Sequence, residues 1–242
     1  METWADPQTR EALIHASGDS RRLVRVRAAA ALAECPANLI PERSRPNVEA
    51  ALNELEKALR SRPDDWASNF DLGNFYLDRG RLSEARLSFE RATRLRPDTL
   101  MPWVNLSITC ARSGDNLGAG QALRRALQVQ PDSPVANFNL ALLKAEDGET
   151  AEAERLLRQV LKSEPGMHQA AYNLAVLLGE RKDYRQAVLW CRRAVALCPE
   201  EGRYRETLAL YLQRTGLSTP PPTRRQDGPG GVPDGTGRRP GP

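Results

Sequence analysis

The chain is expected to be all-α, a solenoid of stacked helical pairs, and three series of residues predict it. Leu72, Leu106, Leu140 and Leu174 recur every 34 residues; so do Ala85, Ala119, Ala153 and Ala187, and again Pro97, Pro131, Pro165 and Pro199. A single helix or strand has no such period, whereas a supersecondary unit copied end to end does. A fold of this kind presents extended surface to other molecules rather than an enclosed pocket.

Each unit reads as two helices. In the first full copy, Trp66 to Arg79 carries Phe70, Leu72, Gly73 and Tyr76 as an apolar stripe at helical spacing. Gly80 follows as a helix-ending residue that tolerates positive φ, and Gly114 and Gly148 recur there, with Lys182 in the fourth copy. A second stripe runs through Leu82, Ala85, Phe89, Ala92 and Leu95 until Pro97 ends it. The alanine series marks close approach of the two helices. No copy buries its apolar face alone, so neighbours must stack.

These residues resemble the tetratricopeptide pattern. Full copies run over 66–99, 100–133, 134–167 and 168–201. The small residue after the leucine is Gly73, Ser107, Ala141 or Ala175; the large one late in the second helix is Phe89, Leu123 or Leu157, with Cys191 in the fourth copy. Half-units flank them at 47–65 (Ala51, Leu55, Ala58, Pro63) and 202–216 (Leu208, Ala209, Leu212), giving an array over 47–216. The resemblance implies a right-handed superhelix whose first helices line a concave groove.

Residues 1–35 differ in kind. Val24, Arg25, Ala28, Ala29 and Leu32 look like the second helix of a HEAT repeat, with Pro7 to Ser17 as the first. Residues 36–46, containing Pro36, Pro41 and Pro46, read as a linker. HEAT-like units leading into tetratricopeptide copies resemble the carboxy-terminal part of bacterial multihaem cytochrome c proteins. That implies an alternative role as a docking arm of an electron-transfer protein. Covalent haem needs Cys-x-x-Cys-His, and the only histidines, His15 and His168, follow no cysteine pair.

Residues 217–242 hold seven prolines and six glycines without an aromatic, so this tail is expected to stay unfolded. It supplies two of the chain's four net positive charges, and the rest looks thinly spread. A clustered basic face, which phosphate binding requires, is therefore not expected, nor is a nucleic-acid partner. No apolar run reaches the length of a membrane span. METWADPQTREALIHA lacks the order of a secretory signal. The chain as it stands would remain cytoplasmic; an upstream export signal would place it in the periplasm. Cys191 and Cys198 lie seven apart on one helix, about 10 Å of rise, too far for a disulfide.

Catalytic, metal and cofactor constellations are missing. Two histidines leave little for a Ser-His-Asp or Cys-His arrangement. Gly118 and Gly120 sit inside a helix without a P-loop lysine, and no His/Cys/carboxylate set has ligand spacing. The expected role is non-catalytic binding of an extended segment of another protein, with no cofactor.

The resemblance assigns the groove copy by copy. Its sixth position holds Asp71, Asn105, Asn139 and Asn173; its fifth Phe70, Val104, Phe138 and Tyr172; its ninth Asn74, Ile108, Leu142 and Val176. Asparagine offers donor and acceptor to a peptide backbone of any sequence, while the apolar positions would select side chains. The asparagines would need to be free of strong internal partners. The carboxylate clamp of chaperone-binding relatives is not matched, because Phe70, Val135 and Asn139 stand where it wants cations; only Asn74 and Asn105 fit.

Overall fold

The computed structural model of the protein describes residues 6–216. Residues 1–5 and the tail expected from 217 onward lie outside them. Among the described residues the regular structure is helical: α1 (Pro7–Ala16), α2 (Arg22–Leu32), α3 (Arg45–Arg60), then four pairs and a closing helix. The first helices of the pairs are α4 (Trp66–Asp78), α6 (Leu100–Arg112), α8 (Pro134–Glu146) and α10 (His168–Glu180). The second are α5 (Leu82–Leu95), α7 (Asn116–Val129), α9 (Thr150–Ser163) and α11 (Tyr184–Leu197), and α12 (Gly202–Thr215) follows. Each boundary steps by 34 residues from copy to copy. The chain is an α-solenoid.

The turn inside each pair is set by backbone sterics. Gly80, Gly114 and Gly148 take φ of 70°, 80° and 79°, where a Cβ would crowd the following carbonyl. Lys182 holds the same place at φ 63°, and is the one non-glycine residue with positive φ among those described.

A second device anchors the start of the first helix in three of the four copies. Asn69 Nδ2 donates to the Pro63 carbonyl at 2.8 Å, and Asn137 Nδ2 to the Pro131 carbonyl at 3.3 Å. Trp103 does the same through Nε1 to Pro97, 2.9 Å away. The fourth copy has Ala171 at this position, and Pro165 instead accepts from Arg193 at 2.8 Å. Pro63, Pro97 and Pro131 thus stop one helix and offer an acceptor to the next, whereas Pro165 offers its own to α11.

The alanine series lies in the core. Ala85, Ala153 and Ala187 are wholly buried and Ala119 nearly so. α4 touches α6 and α6 touches α8, so first helices crowd along one side; each second helix packs between the first helices before and after it. One side of the solenoid is therefore made of first helices and the other of second helices.

At the amino-terminal end, α2 lays Ala29 and Leu32 against Val48, Ala51 and Leu52 of α3. Arg25 adds a bidentate ion pair to Glu54 at 2.8 and 3.0 Å. Residues 37–39 and 42–44 form two 3₁₀ turns, and Ile40 between them is buried in the same core.

Candidate binding groove

The side built from first helices carries the residues named as groove-facing, and their surroundings differ from copy to copy. Asn105, Asn139 and Asn173 are half-buried. Each amide nitrogen spends one of its two N–H groups inside the protein, contrary to the expectation of free side chains. Asn105 Nδ2 donates to Asn74 Oδ1 at 2.7 Å, joining α6 to α4. Asn139 and Asn173 each turn back on their own helix, donating to the Val135 and Gln169 carbonyls at 2.8 Å. The cause is the residue one copy earlier at the ninth position. Asn74 can accept; Ile108 and Leu142 cannot, so the later asparagines use a carbonyl four residues back. In all three, Oδ1 of the ladder residue accepts nothing from the described residues. The register therefore presents, at each asparagine, an open Oδ1 acceptor and one remaining N–H.

Val104 is a correction. It is wholly buried, clustered with Ala126 and Ala136 between α6, α7 and α8, and cannot select a ligand side chain. Being shorter than the aromatic residues at this position, it does not reach the surface, and neighbouring helices close over it. Phe70 and Phe138 are half-buried, Phe70 with its ring 5.9 Å from that of Phe89. Ile108, Leu142 and Val176 are half-buried as well. With Phe138 they form the apolar part of the surface beside the asparagines.

Tyr172 is also less free than expected. Its ring stacks on Tyr204 at 4.4 Å, its hydroxyl lies 3.2 Å from Thr207 Oγ1, and the Arg203 guanidinium sits 5.7 Å over it. Tyr204, wholly buried, meets His168 Nδ1 through its hydroxyl at 2.9 Å. The sequence reading missed Tyr204. The signal was there: it stands one period after Ala170 and two after Ala136, and a tyrosine in an alanine's place needs room. The small Cys191 of α11 helps supply it, its Sγ 3.3 Å from the Tyr204 carbonyl.

The opposite end of this surface is acidic. Asp71 and Asp78, seven residues apart on α4, share a face. Partial burial raises the Asp71 carboxyl above the ordinary value, and Asp65 adds to this. Burial and then Glu34 raise Asp78, with Arg112 pulling the other way. Neither carboxyl forms an ion pair with a described residue. Among the described residues no three His, Cys, Asp or Glu side chains gather as metal ligands would.

Comparison with known proteins agrees with this architecture. A family model described as tetratricopeptide repeat matches residues 45–99, 76–136 and 138–201. Among solved structures, the chain is similar to TTC0263, a thermophilic TPR protein of Thermus thermophilus, at 21% identity and a TM-score of 0.62, covering 80% of this chain and 100% of that one. It is similar to MamA 41-end of Desulfovibrio magneticus RS-1 at 20% identity and a TM-score of 0.55, covering 62% and 85%. It is also similar to YrrB, described as a TPR protein with an unusual peptide-binding site, at 20% identity and a TM-score of 0.52, covering 89% and 100%. At these identities the likeness shows the fold. No curated protein matches the chain.

Proposed function

The chain belongs to the tetratricopeptide repeat family, and from that premise we propose that it is a non-catalytic binding module whose first-helix surface holds an extended segment of another protein. The observation that carries the proposal is the acceptor ladder. Asn105, Asn139 and Asn173 recur at one register, each with one N–H engaged inside the protein and its carbonyl oxygen unused. An extended backbone rises about 3.3 Å per residue, and packed helices lie about 8–10 Å apart. Each asparagine then meets roughly every third residue of the segment, at an N–H. Phe138, Ile108, Leu142 and Val176 provide apolar contacts, and Asp71 and Asp78 favour a cationic residue at the amino-terminal end of the groove. YrrB, which has a peptide-binding site, supports the class of ligand. We take α1 and α2, whose sequence resembles a HEAT pair, as a cap on the array over residues 47–216.

Capture of partners by the immobilised chain, followed by mass spectrometry and titration calorimetry with the segment found, tests this. The combined Asn105→Ala, Asn139→Ala and Asn173→Ala variant should lose roughly 2–4 kcal/mol of binding, at about 0.5–1.5 kcal/mol per neutral hydrogen bond. The fold should lose less than binding does, about 0.5–1.5 kcal/mol, through the Asn105–Asn74 bond that joins α6 to α4. A triple variant that binds the segment as tightly as the natural chain would overturn the proposal.

A further inference from the structure

The side of the solenoid away from the groove has a character that the net charge conceals. The sequence suggested charge thinly spread; the fold gathers it instead. Every glutamate of α3, α5 and α9 is paired with an arginine, and α7 and α11 carry no acidic residue. Cations are left over. Lys57 on α3, Arg91 and Arg94 on α5, Arg124 on α7 and Lys162 on α9 are all exposed, and none makes an ion pair or side-chain hydrogen bond with a described residue. They fall in two adjoining registers one helical turn apart: Lys57 and Arg91 are one period apart with Arg124 a single residue off, and Arg94 and Lys162, three residues further on, are two periods apart. The second helices thus set unpaired positive charge on one face of the stack.

Projecting leucines share that face. Leu87 is 56% exposed and precedes Arg91 by four residues and Arg94 by seven; Leu117 is 83% exposed and precedes Arg124 by seven. Residues at those separations lie on the same side of a helix. Leu189, 57% exposed, continues the series on α11.

We propose that this second-helix face docks on an anionic phospholipid bilayer, the cations meeting lipid phosphates and Leu87, Leu117 and Leu189 entering the headgroup boundary. Cations beside protruding apolar side chains are the combination that an anionic interface rewards twice, by charge and by apolar burial. A nucleic-acid backbone would reward only the charge and leave the leucines in water. No aromatic residue is among the exposed large hydrophobics of this face to stack on bases. No helix of the described residues is long and apolar enough to cross a membrane, so the association is peripheral, and it leaves the groove open.

Co-sedimentation of the full chain with vesicles of phosphatidylcholine alone, and of phosphatidylcholine mixed with phosphatidylglycerol, tests the proposal. Binding should require the anionic lipid and weaken as salt screens the charges. Joint replacement Lys57→Gln, Arg91→Gln and Arg124→Gln should cost about a hundred-fold in partitioning, taking roughly five-fold per juxtamembrane cation. Leu87→Ser with Leu117→Ser should weaken binding to anionic vesicles and leave binding to a short DNA duplex unchanged, if any is seen. Equal binding to both vesicle types, or none to either, overturns the proposal. So does undiminished vesicle binding by the serine variant. If the charge variant fails to fold by circular dichroism, the lipid comparison and the salt dependence on the natural chain decide.

Discussion

A Cβ added to Gly73 would lie 2.5 Å from the Phe89 ring. No side chain fits there without moving the ring, which explains the only glycine in its series. In the first three copies the partners at these two registers trade volume, Gly73 with Phe89, Ser107 with Leu123 and Ala141 with Leu157; in the fourth, Ala175 faces the small Cys191, beside which Tyr204 packs. Gly73→Ala should therefore destabilise the fold by about 1–3 kcal/mol through overpacking. Phe89→Leu in the same chain should restore much of that loss, since it makes the pair resemble its neighbours. Urea unfolding of the two single variants and the double variant gives the coupling energy; strict additivity would place the clash elsewhere.

Lys182 holds a glycine's conformation. The left-handed region costs a lysine about 1–2 kcal/mol, against about 0.5–1 kcal/mol for the extra freedom a glycine loses on folding. Lys182→Gly should stabilise the protein by about 0.5–1 kcal/mol, read as a rise in urea midpoint. Gly114→Lys in the equivalent turn should do the reverse.

Alkaline pH should unfold the carboxy-terminal copy. Burial pushes the Cys191 thiol up to about 11 and the Tyr211 hydroxyl up to about 12. Below about pH 7.5 both groups are protonated in folded and unfolded chains, and stability does not depend on them. Above it the unfolded thiol, and near pH 10 the unfolded phenol, lose protons that the folded state keeps. Stability then falls with rising pH until the folded groups ionise, by about 2–3 kcal/mol for each. Tyr211→Phe should remove the phenol's share of the decline, measured as melting temperature from pH 8 to 12.

Val104 and Ile108 share a helix but should respond differently. Val104→Ala opens a cavity among Ala126 and Ala136, costing about 2 kcal/mol of stability, with no change in ligand selectivity once refolded. Ile108→Ala removes a half-buried side chain beside the asparagines. It should weaken binding of an apolar segment more than it weakens the fold. Calorimetry of binding and of unfolding on the two variants separates the roles.

How much of this was legible beforehand depended on whether a property repeats. The 34-residue period, the helix pairs, the alanine contacts and the glycine turns follow from local sterics and apolar spacing, which each copy states separately and the next copy restates. Properties that depend on what a neighbouring copy supplies were not legible. Asn105 and Asn139 occupy one register and read alike, yet one bonds across helices and the other bonds back along its own. The difference lies in Asn74 and Ile108, one copy earlier. Val104 reads as a groove residue until the side chains around it close over it. The unpaired cations of the second helices vanish in a net charge of +4, because summation along a chain ignores which carboxylates are already paired. Sequence by itself determined the unit and its stacking, since these arise from contacts within a repeat and with its immediate neighbour. Only the tertiary structure decided which polar groups remain free and which face they occupy, since that depends on the particular side chains that adjoining copies bring together.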